Sequence, residues 1–573
     1  MALQYVRHDP HHLRAIVDMG SNGIRFSVST LQPPTTRIMP TLYQHRVGIS
    51  LYDAQYSASN ERQPIDDITI NAVVTAFKQF RRTCRDFAVP KENITVLATE
   101  ATRTAINSED FRKQIKDAVG WEVKMLAKED EGRIGALGIA SSLPDVAGLV
   151  MDLGGGSTQL SWLICDGAGG GVQMPDSGSV SMPYGAAAMS RRLAEAERDG
   201  TTSTLKKEVE SAVKSAYDSL KIPEQLKKLA AAQGGFTLYL SGGGFRGWGY
   251  LLMSRHRVQP YPVPVINGFM ASRHEFMGID EVKAAAAATL ANEDDAIFRV
   301  SDRRASQVPA VAFLVNVLAD VLPEIKQVRF CQGGVREGFL FSLMESSMQA
   351  DHPLTVATRP FSPEAHQAAS ALLANALPSA SNTSTQDPYE QTFTPPILEA
   401  LANMMYYHSS HSKDLQGSAA LRCTTSGVLA GVHGLLHEHR TLLALLLCAR
   451  WGGDVPPTDE VFKRGLEFTI SSPWQLWWIN YLGAVAALIG AVYPAGVPNE
   501  GGRPRMTLKA RWTGAPEHGT QLSLNVTFTD DVELDMFAKE VKNIEKVGKK
   551  KHWIGGKGGI GYRVEVETSR PPP

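Results

Sequence analysis

Two segments of the chain share one layout of residues that suits the binding of phosphate. Residues 16–28 read IVDMGSNGIRFSV, and residues 150–162 read VMDLGGGSTQLSW. Each has a short apolar strand, an aspartate, a glycine-rich turn with hydroxyl residues, and a second strand in which apolar and polar residues alternate. Asp18 and Asp152 hold equivalent places in the two segments. The repeat therefore predicts two matching β-hairpins.

The turn of such a hairpin can bind an anion. Glycine has no Cβ, so the backbone N–H groups of the turn can approach phosphate oxygens closely. Hydroxyl side chains add donors, and an aspartate at the strand end can hold Mg²⁺ against the phosphate, directly or through water. Two such turns that face each other across a cleft would clamp one phosphate from both sides. The predicted phosphate-binding residues of the turns are Gly20, Ser21, Asn22, Gly23, Arg25, Gly154, Gly155, Gly156, Ser157 and Thr158.

Other uses of these glycines fit the sequence less well. A single Asp-x-Gly turn can be no more than a hairpin, but two with one layout, each opening an α/β segment, favour a phosphate site. In a dinucleotide-binding Rossmann motif the glycines stand between a strand and a helix, whereas here they stand between two strands. The sequence of a P-loop is not evident.

The composition is that of an ordinary globular protein. The chain has 573 residues, of which 43% are hydrophobic and 20% charged, and this length predicts roughly three to four domains. A net charge of −1 provides no global field for nucleic acid, so we expect no nucleic-acid partner and only a local anion site. The five scattered cysteines and the N-terminus, which lacks an apolar run, indicate a reduced, cytoplasmic protein.

The elements around the two turns follow a repeated plan of strands and helices. In residues 1–140, strand signals lie at 15–17, 24–28, 94–98 and 123–126, and helical periodicity lies at 70–84 and 110–118. In residues 141–350, strand signals lie at 149–151, 160–164, 238–240 and 328–330, and helical periodicity lies at 205–220. The sequence thus predicts two α/β lobes, each with one phosphate hairpin.

The remainder of the chain has a different composition. Residues 351–396 are predicted to be a connecting helix and a Pro-, Ser- and Thr-rich linker. Residues 397–497 predict a helical domain, and residues 498–573 read strand, strand, helix, strand, which predicts a small α+β domain. The uncharged stretch 474–496 is long enough to cross a membrane, but its polar residues and the proline that ends it favour a buried core helix. We therefore expect no membrane partner.

Two further groups of residues have simple explanations. The basic run 546–551 is predicted to be a solvated helix end, and contact with a phosphate polymer or an acidic partner is the alternative. Five histidines are predicted to lie on a polar surface or in the core rather than on a metal, because none is followed by aspartate. They are His408, His411, His433, His437 and His439.

Taken in order, these motifs resemble the exopolyphosphatase/guanosine-pentaphosphate phosphatase (Ppx/GppA) family. DMGSNGIR and DLGGGSTQ resemble the two phosphate motifs of the actin-like (ASKHA, ribonuclease H-like) superfold. ATEATRTAINSEDF, EDEGRIGALG and QGGVREGFLF are collinear with further motifs of the family, and residues 37–57 are similar to its fungal retrograde regulation branch. The resemblance covers roughly residues 1–345 and implies two actin-like lobes with a central cleft.

The resemblance also implies roles for single residues. Glu131 stands where the family has the glutamate that activates water for phosphoanhydride hydrolysis. Thr99 and Arg103, and also Gly242 and Gly243, stand where the superfold contacts the phosphates of its ligand. Two further arginines are candidates for phosphate contacts or for structural salt bridges. They are Arg133 and Arg303.

The predicted metal site departs from the family pattern. Asp152 is predicted to hold Mg²⁺ with Asp18 opposite it, and Gln159 stands where active phosphatases of the family have glutamate. A neutral amide removes one negative charge beside the metal, so we expect Mg²⁺ to bind weakly or through water and hydrolysis to be slow. Gly23 replaces a serine, and Phe245 replaces a small polar residue and is expected to narrow the distal subsite.

These departures favour a regulator over an enzyme. We expect binding of a nucleotide or polyphosphate, with closure of the cleft changing the surface offered to a signalling protein; the resemblance implies mitochondria-to-nucleus and nutrient signalling to transcription. A homodimer is an expected assembly. The alternative is an active exopolyphosphatase or guanosine-pentaphosphate phosphohydrolase that uses Glu131 and Mg²⁺ at Asp152. A sugar or acid kinase of this superfold would need a catalytic aspartate that the sequence does not place.

Overall fold

The computed structural model describes residues 8–56, 61–165, 171–292, 296–379, 389–497, 504–513, 521–529 and 533–570. The chain forms two compact units. Unit 1 comprises residues 1–257, 265–353 and 433–436, and unit 2 comprises residues 258–264, 354–432 and 437–573. The division into five segments is finer than this and stays a prediction. Part of the predicted linker, residues 380–388, lies outside the described residues.

Lobe I, the N-terminal part of unit 1, is built on a five-stranded sheet in the order β3-β2-β1-β4-β5. The first three strands are antiparallel, and β4 and β5 continue the sheet in parallel with β1. The strands are β1 (Leu13–Gly20), β2 (Gly23–Thr30), β3 (Thr41–Val47), β4 (Ile94–Ala98) and β5 (Val123–Met125). The helices are α1 (Leu51–Tyr56), α2 (Asp67–Asp86), α3 (Glu100–Arg103), α4 (Ser108–Val119) and α5 (Lys128–Ser141).

Lobe II repeats this topology in a six-stranded sheet, in the order β10-β11-β9-β6-β7-β8. A β6-β7-β8 meander is again followed by two strands parallel to its first strand, β9 and β11. The strands are β6 (Val146–Leu153), β7 (Thr158–Cys165), β8 (Val180–Met182), β9 (Phe236–Ser241), β10 (Met270–Ser272) and β11 (Ile325–Phe330). The predicted pair of actin-like lobes is confirmed.

The helices of lobe II lie between and after these strands. They are α6 (Ala186–Arg198), α7 (Thr202–Ser219), α8 (Glu224–Gln233), α9 (Gly243–Ser254), α10 (Arg273–Phe276), α11 (Ile279–Ala291), α12 (Asp302–Val321), α13 (Val335–Ser342) and α14 (Ser346–Ala350). α12 begins at Asp302, so Arg303 lies in its first turn.

The two hairpins place their aspartates in matching positions. Asp18 pairs with Arg25 across β1 and β2, and Asp152 pairs with Gln159 across β6 and β7. The first turn is tight, because β1 and β2 remain paired as far as Gly20 and Gly23. The second turn is wider, because its strands stop pairing at Leu153 and Thr158 and residues 154–157 form the loop.

A shared core joins the two lobes of unit 1. It contains Ile16 of β1 and Val150 of β6, together with Leu137 of α5 and Phe341 of α13. α5 and α13 cross closely, since a Cβ at Gly338 would overlap the carbonyl oxygen of Ile134. This crossing fixes the N-terminal ends of both helices near the two hairpins.

Unit 2 contains mainly helices and one small sheet. Its helices are α15 (Pro353–Thr358, which begins at the boundary with unit 1), α16 (His366–Asn375), α17 (Tyr389–Thr392), α18 (Pro395–Met404), α19 (Lys413–Arg422), α20 (His437–Arg450), α21 (Pro457–Thr469), α22 (Pro473–Val492) and α23 (Ala538–Val547). Its strands are β12 (Met506–Thr513), β13 (Gln521–Phe528) and β14 (Arg563–Ser569), in that order in the sheet. The predicted helical region and small α+β module are confirmed. Residues 534–537 form a 3₁₀ turn immediately before α23.

Among the helices in the described ranges, α22 alone is long and apolar enough to cross a membrane by length and composition. Within unit 2, however, 67% of its apolar stretch is buried. Trp477, Trp478 and Tyr481 are fully buried, and the Tyr481 hydroxyl donates a hydrogen bond to the Ala376 carbonyl at 3.0 Å. This helix forms part of the core of unit 2.

Candidate active site

The tips of the two hairpins line one cavity of about 400 Å³ in unit 1. Most of the residues predicted from sequence lie on its wall. They are Asp18, Gly20, Ser21, Asn22, Gly23, Arg25, Thr99, Glu131, Asp152, Gly154, Gly155, Ser157, Gln159, Gly242 and Gly243. The matching turns therefore lie around a common space.

The hairpin tips also touch each other across the cleft. A Cβ on Gly155 would lie 2.6 Å from Cγ of Asn22, and one on Gly156 would lie 2.7 Å from Oε2 of Glu100. A side chain at either position would displace the side chain of Asn22 or Glu100, so the glycines of the second turn allow the close approach of the two lobes seen here.

Two buried carboxylates lie at the base of the hairpins. Burial raises the pKa of both Asp18 and Asp152, and the negative charge of Asp18 raises the pKa of Asp152 further. Arg25 lies 3.4 Å from Asp18 and opposes the shift in both groups. A cation bound next to Asp18 and Asp152 would stabilise both carboxylates in their ionised form.

Five arginines line the cavity, against three acidic side chains. Sequence reasoning proposed only two of them, and it missed the other three because they come from separate elements. The five are Arg25, Arg46, Arg246, Arg303 and Arg304. Burial lowers the pKa values of Arg46 and Arg246, and the positive charges of neighbouring arginines lower them further, that of Arg246 to about 10. Mutual repulsion among so many cations favours a ligand that carries several negative charges.

Helix N-termini add further donors to the cavity. Ser241, Gly242 and Gly243 line it where α9 begins, and Gly334 and Val335 line it where α13 begins. The backbone N–H groups of a first helical turn lack partners within the helix and attract anions. The amide of Gly334 is already taken by Glu337 at 3.0 Å, so α9 is the helix better placed to bind phosphate.

Glu131 lies in the first turn of α5 and reaches the cavity wall. Burial raises the pKa of Glu131 to about 7, although Arg103 opposes the shift. Both terminal nitrogens of Arg103 lie within hydrogen-bond distance of its Oε2, at 3.2 and 3.3 Å. A carboxyl group with such a pKa can take up or release a proton near neutral pH.

Three predicted phosphate contacts do not line the cavity. Arg103 pairs with Glu131 and donates to the Leu126 carbonyl, so it acts on the cavity through Glu131. Thr158 points to the opposite face of β7 from its neighbours, and its hydroxyl donates to the Tyr184 carbonyl at 2.8 Å. Gly156 faces Glu100 instead.

The expectation for Phe245 needs correction, and Arg133 fits the salt-bridge alternative. Phe245 does not narrow the subsite, because its ring is fully buried and lies outside the cavity wall. Arg246, the next residue, lines the wall instead. Arg133 is also absent from the wall and lies 3.8 Å from Asp130 on the surface of α5.

Arg303 links the two lobes at the mouth of the cavity. Its Nη2 lies 2.7 Å from Oδ1 of Asn22, 3.0 Å from Oγ of Ser50 and 2.9 Å from Oδ2 of Asp53. All three acceptors belong to lobe I, whereas Arg303 belongs to α12 of lobe II. The guanidinium therefore stabilises the closed arrangement of the lobes.

Replacing Arg303 by methionine should weaken binding of tripolyphosphate about tenfold, because hydrogen bonds to a charged group are lost and the closed cleft is less populated. Calorimetric titration gives the affinity, and hydrogen exchange at residues 21–22 and 51–56 should become faster. Asp53→Asn keeps an acceptor and should cause a smaller loss. Unchanged affinity and exchange in Arg303→Met would exclude this role.

The chemistry of the cavity fits a magnesium ion. Within the described ranges, no three His, Cys, Asp or Glu side chains come together as a metal site. Mg²⁺ nevertheless often keeps several waters and binds through one or two carboxylates. Asp18, Asp152 and the amide of Gln159 supply oxygen atoms to the lining of the cavity, and the raised pKa values of both carboxyls indicate that a nearby cation would be favoured.

Comparison with known proteins agrees with this geometry. The profile of the Ppx/GppA phosphatase family matches residues 31–347, and that of the RTG2 C-terminal domain matches residues 352–571. The Ppx/GppA match begins at residue 31, directly after the first hairpin. The role of that hairpin is therefore inferred from its geometry.

Three individual proteins illustrate the relationship. Retrograde regulation protein 2 of Saccharomyces cerevisiae is 38% identical over 495 residues, which cover 85% of this chain and 82% of the yeast protein. Guanosine-5'-triphosphate,3'-diphosphate pyrophosphatase of Vibrio atlanticus is 34% identical over 149 residues, 26% of this chain and 28% of that protein. The solved PPX-GPPA enzyme of Aquifex aeolicus is 21% identical and gives a TM-score of 0.43, covering 58% of this chain and 99% of that one.

The Ppx/GppA profile spans more than half of the chain, and the yeast relative is similar across most of its length. Together with the duplicated actin-like lobes and the two hairpins around one cavity, these matches establish that the chain belongs to the Ppx/GppA phosphatase family, in a form that carries an RTG2 C-terminal domain.

Proposed function

We propose that this protein is a regulator that binds a nucleotide or polyphosphate in the cleft of unit 1 and turns it over slowly or not at all. By analogy with the yeast relative, whose name is Retrograde regulation protein 2, its output is retrograde and nutrient signalling to transcription. A cytoplasmic location, a regulatory protein partner and a homodimer belong to the same proposal.

The observation that carries the proposal is the residue opposite Asp152. Gln159 pairs with Asp152 across the hairpin and lines the cavity, and its amide donates to the Ser157 hydroxyl at 2.9 Å. The cavity thus has a neutral amide where a third carboxylate would strengthen a metal site. Anion binding by the five arginines does not depend on that carboxylate, so the protein retains ligand binding while hydrolysis is slow.

Closure of the cleft provides a route from binding to signalling. The second turn packs on Asn22, and Arg303 bonds to the same residue, so contacts between the lobes lie beside the bound anion. A ligand that binds the closed cleft better than the open one shifts the population toward closure. The partner protein would then recognise a surface that closure changes.

Mg²⁺, if bound, would be held by Asp18 and Asp152 and would neutralise charge on the phosphate oxygens. The chain's own residues supply the rest. The glycine-rich turns and the start of α9 donate to the phosphates, and the arginines orient them. Gly155 and the side chain of Asn22 lie against each other where the tips meet.

Glu131 supports the alternative function, an active phosphohydrolase. Its carboxyl group lines the same cavity and its pKa of about 7 suits a general base at neutral pH. In that mechanism, Glu131 accepts a proton from the attacking water while Arg103 holds the carboxylate in place. If Glu131 acted as this base, signalling would depend on the rate at which the ligand is hydrolysed rather than on the fraction of protein that has ligand bound.

A paired assay separates the two functions. The wild-type protein should bind tripolyphosphate in the presence of Mg²⁺ and release little phosphate. Gln159→Glu should raise Mg²⁺ affinity about tenfold, because it adds a charge close to the metal, and should increase phosphate release. Adding Glu131→Gln to that variant should abolish the release. Gln79→Glu, an exposed change on α2, serves as the matched control.

Two outcomes would overturn the proposal. Rapid phosphate release by the wild-type protein that Glu131→Gln removes would establish the phosphohydrolase. Unchanged Mg²⁺ affinity in Gln159→Glu would show that residue 159 does not weaken the metal site. Calorimetry gives the metal affinity, and a colorimetric phosphate assay gives the rate.

A further inference from the structure

Unit 2 contains a second cavity of about 550 Å³, which we call the basic groove. It lies along α22 and α23 beside the end of α20. Its lining includes Arg450, Trp451, Asn480, Lys539, Asn543 and Lys546. The groove lies wholly within unit 2 and is separate from the cleft of unit 1.

Two residues that line the groove, Arg450 and Trp451, pack against each other. Nε of Arg450 and Nε1 of Trp451 are buried, and neither has a hydrogen-bond partner within the described residues. The Arg450 guanidinium lies over the Trp451 ring at 4.2 Å, which holds both donors in one place. These two atoms are not exposed to solvent, so what this end of the groove offers to a ligand is the positive charge of the Arg450 guanidinium.

The charge around the groove is positive. Arg450, Lys539 and Lys546 line it, and Glu540 is the single carboxylate on the wall. Lys539 and Lys546 lie seven residues apart on α23, so they share one face of that helix. The basic run continues beyond α23, where Lys549 and Lys551 lie close enough to His552 to act on its charge. An anion is the complementary ligand.

The floor of the groove has only small side chains. Ala484, Ala487, Gly490 and Ala491 of α22 line it. A Cβ on Gly490 would lie 2.8 Å from Cζ of Arg450, so glycine is what lets the guanidinium rest against α22. The volume lies in the range of small-molecule sites, and the apolar floor can accept a flat or aliphatic group.

We propose that the basic groove binds a small phosphorylated molecule. Its phosphate lies against Arg450, Lys539 and Lys546, and the amides of Asn480 and Asn543 add donors at the sides. The remainder of the ligand packs on the alanine and glycine floor of α22. The RTG2-type C-terminal region would then sense a metabolite of its own, independently of the nucleotide or polyphosphate proposed for the cleft.

A structural role for Arg450 alone explains less. As the last residue of α20 it stabilises the negative end of the helix dipole. That role accounts for its position but not for the lysines of α23 that line the same groove. A solvated helix end, the simple explanation of residues 546–551, likewise leaves the cavity beside them unexplained.

Hydrogen exchange of the full-length protein with pyrophosphate and with ADP tests the proposal and separates the groove from the cleft. Either probe should slow exchange in residues 449–453 and 539–552. The double variant Lys539→Ala/Lys546→Ala changes only exposed side chains. It should raise the probe concentration that is needed for this protection at least tenfold. Asn543→Asp should weaken it similarly, because it places a negative charge in the groove. Lys542→Ala, on α23 but outside the groove wall, should have no effect.

Retention of the full protection by the double variant and by Asn543→Asp would overturn the proposal. Absence of protection of these segments by millimolar pyrophosphate and ADP would do so as well. Protection by a polyglutamate peptide but by neither phosphate probe would assign the groove to an acidic protein segment instead. Protection confined to residues 18–25 and 152–159 would place phosphate binding in the cleft alone.

Discussion

Alanine at position 242 is expected to lower the free energy of unfolding by roughly 3 kcal/mol and to abolish phosphate binding in the cleft. Gly242 has a φ of +91°, a conformation that alanine adopts only with strain. A Cβ there would lie 2.6 Å from the Leu153 carbonyl carbon and would overlap Oδ1 of Asp152. Urea denaturation measures the stability loss, and calorimetry with tripolyphosphate measures the binding.

The next residue provides a matched control. A Cβ on Gly243 would meet no atom within 4 Å, and the residue lies at the start of α9 with helical backbone. Gly243→Ala should therefore change the free energy of unfolding by no more than about 0.5 kcal/mol. Equal losses in both variants would mean that the α9 entrance does not adopt this conformation.

Ionisation of Glu131 should lower the free energy of unfolding by about 3 kcal/mol as the pH rises from about 4.5 to about 7. Burial holds the pKa of Glu131 at about 7, against an ordinary value of 4.5. Over this interval the unfolded chain loses the proton and the folded chain keeps it, so ionisation favours unfolding. Below 4.5 both states are protonated and the penalty is absent.

Glu131→Gln should remove this part of the pH dependence. The buried residues Asp18 and Asp152, whose pKa values are also raised, contribute in the same direction and remain in the variant. The difference between wild type and variant therefore isolates Glu131. Glu129→Gln, an exposed change in the same helical turn, should have the same pH dependence of the free energy of unfolding as the wild type. Parallel profiles for wild type and Glu131→Gln would show that Glu131 is not buried as described.

Local sequence patterns predicted the hairpins because each one is contained in a few consecutive residues. Asp18 faces Arg25, and Asp152 faces Gln159, within single β-turn units. The parallel strands that follow each hairpin were predicted from their apolar runs. The edge strand β3 was missed, because most of its residues are exposed or half-buried and show no alternation.

Some errors in the site came from ignoring which way a side chain points. Ser157 and Gln159 line the cavity while Thr158 lies on the other face of β7, as a period of two requires. Arg246 is four positions after Gly242 and lines the cavity with it, whereas Phe245 is buried in the core. These corrections could have been made from the sequence.

The cluster of arginines could not have been predicted in this way. Arg46 comes from β3, Arg246 from α9 and Arg304 from α12, and only the folded chain brings them together. The pairing of Arg103 with Glu131 is likewise a long-range contact, and it converts an expected phosphate ligand into a residue that positions the carboxylate.

A crystal structure of the protein with pyrophosphate tests most directly whether both hairpins hold one anion. We expect one phosphate group within hydrogen-bond distance of backbone N–H groups from residues 20–23 and from residues 154–157, with the lobes in contact through Asn22 and Gly155. A phosphate bound to only one of these turns, or bound outside the cavity that they line, would contradict the account.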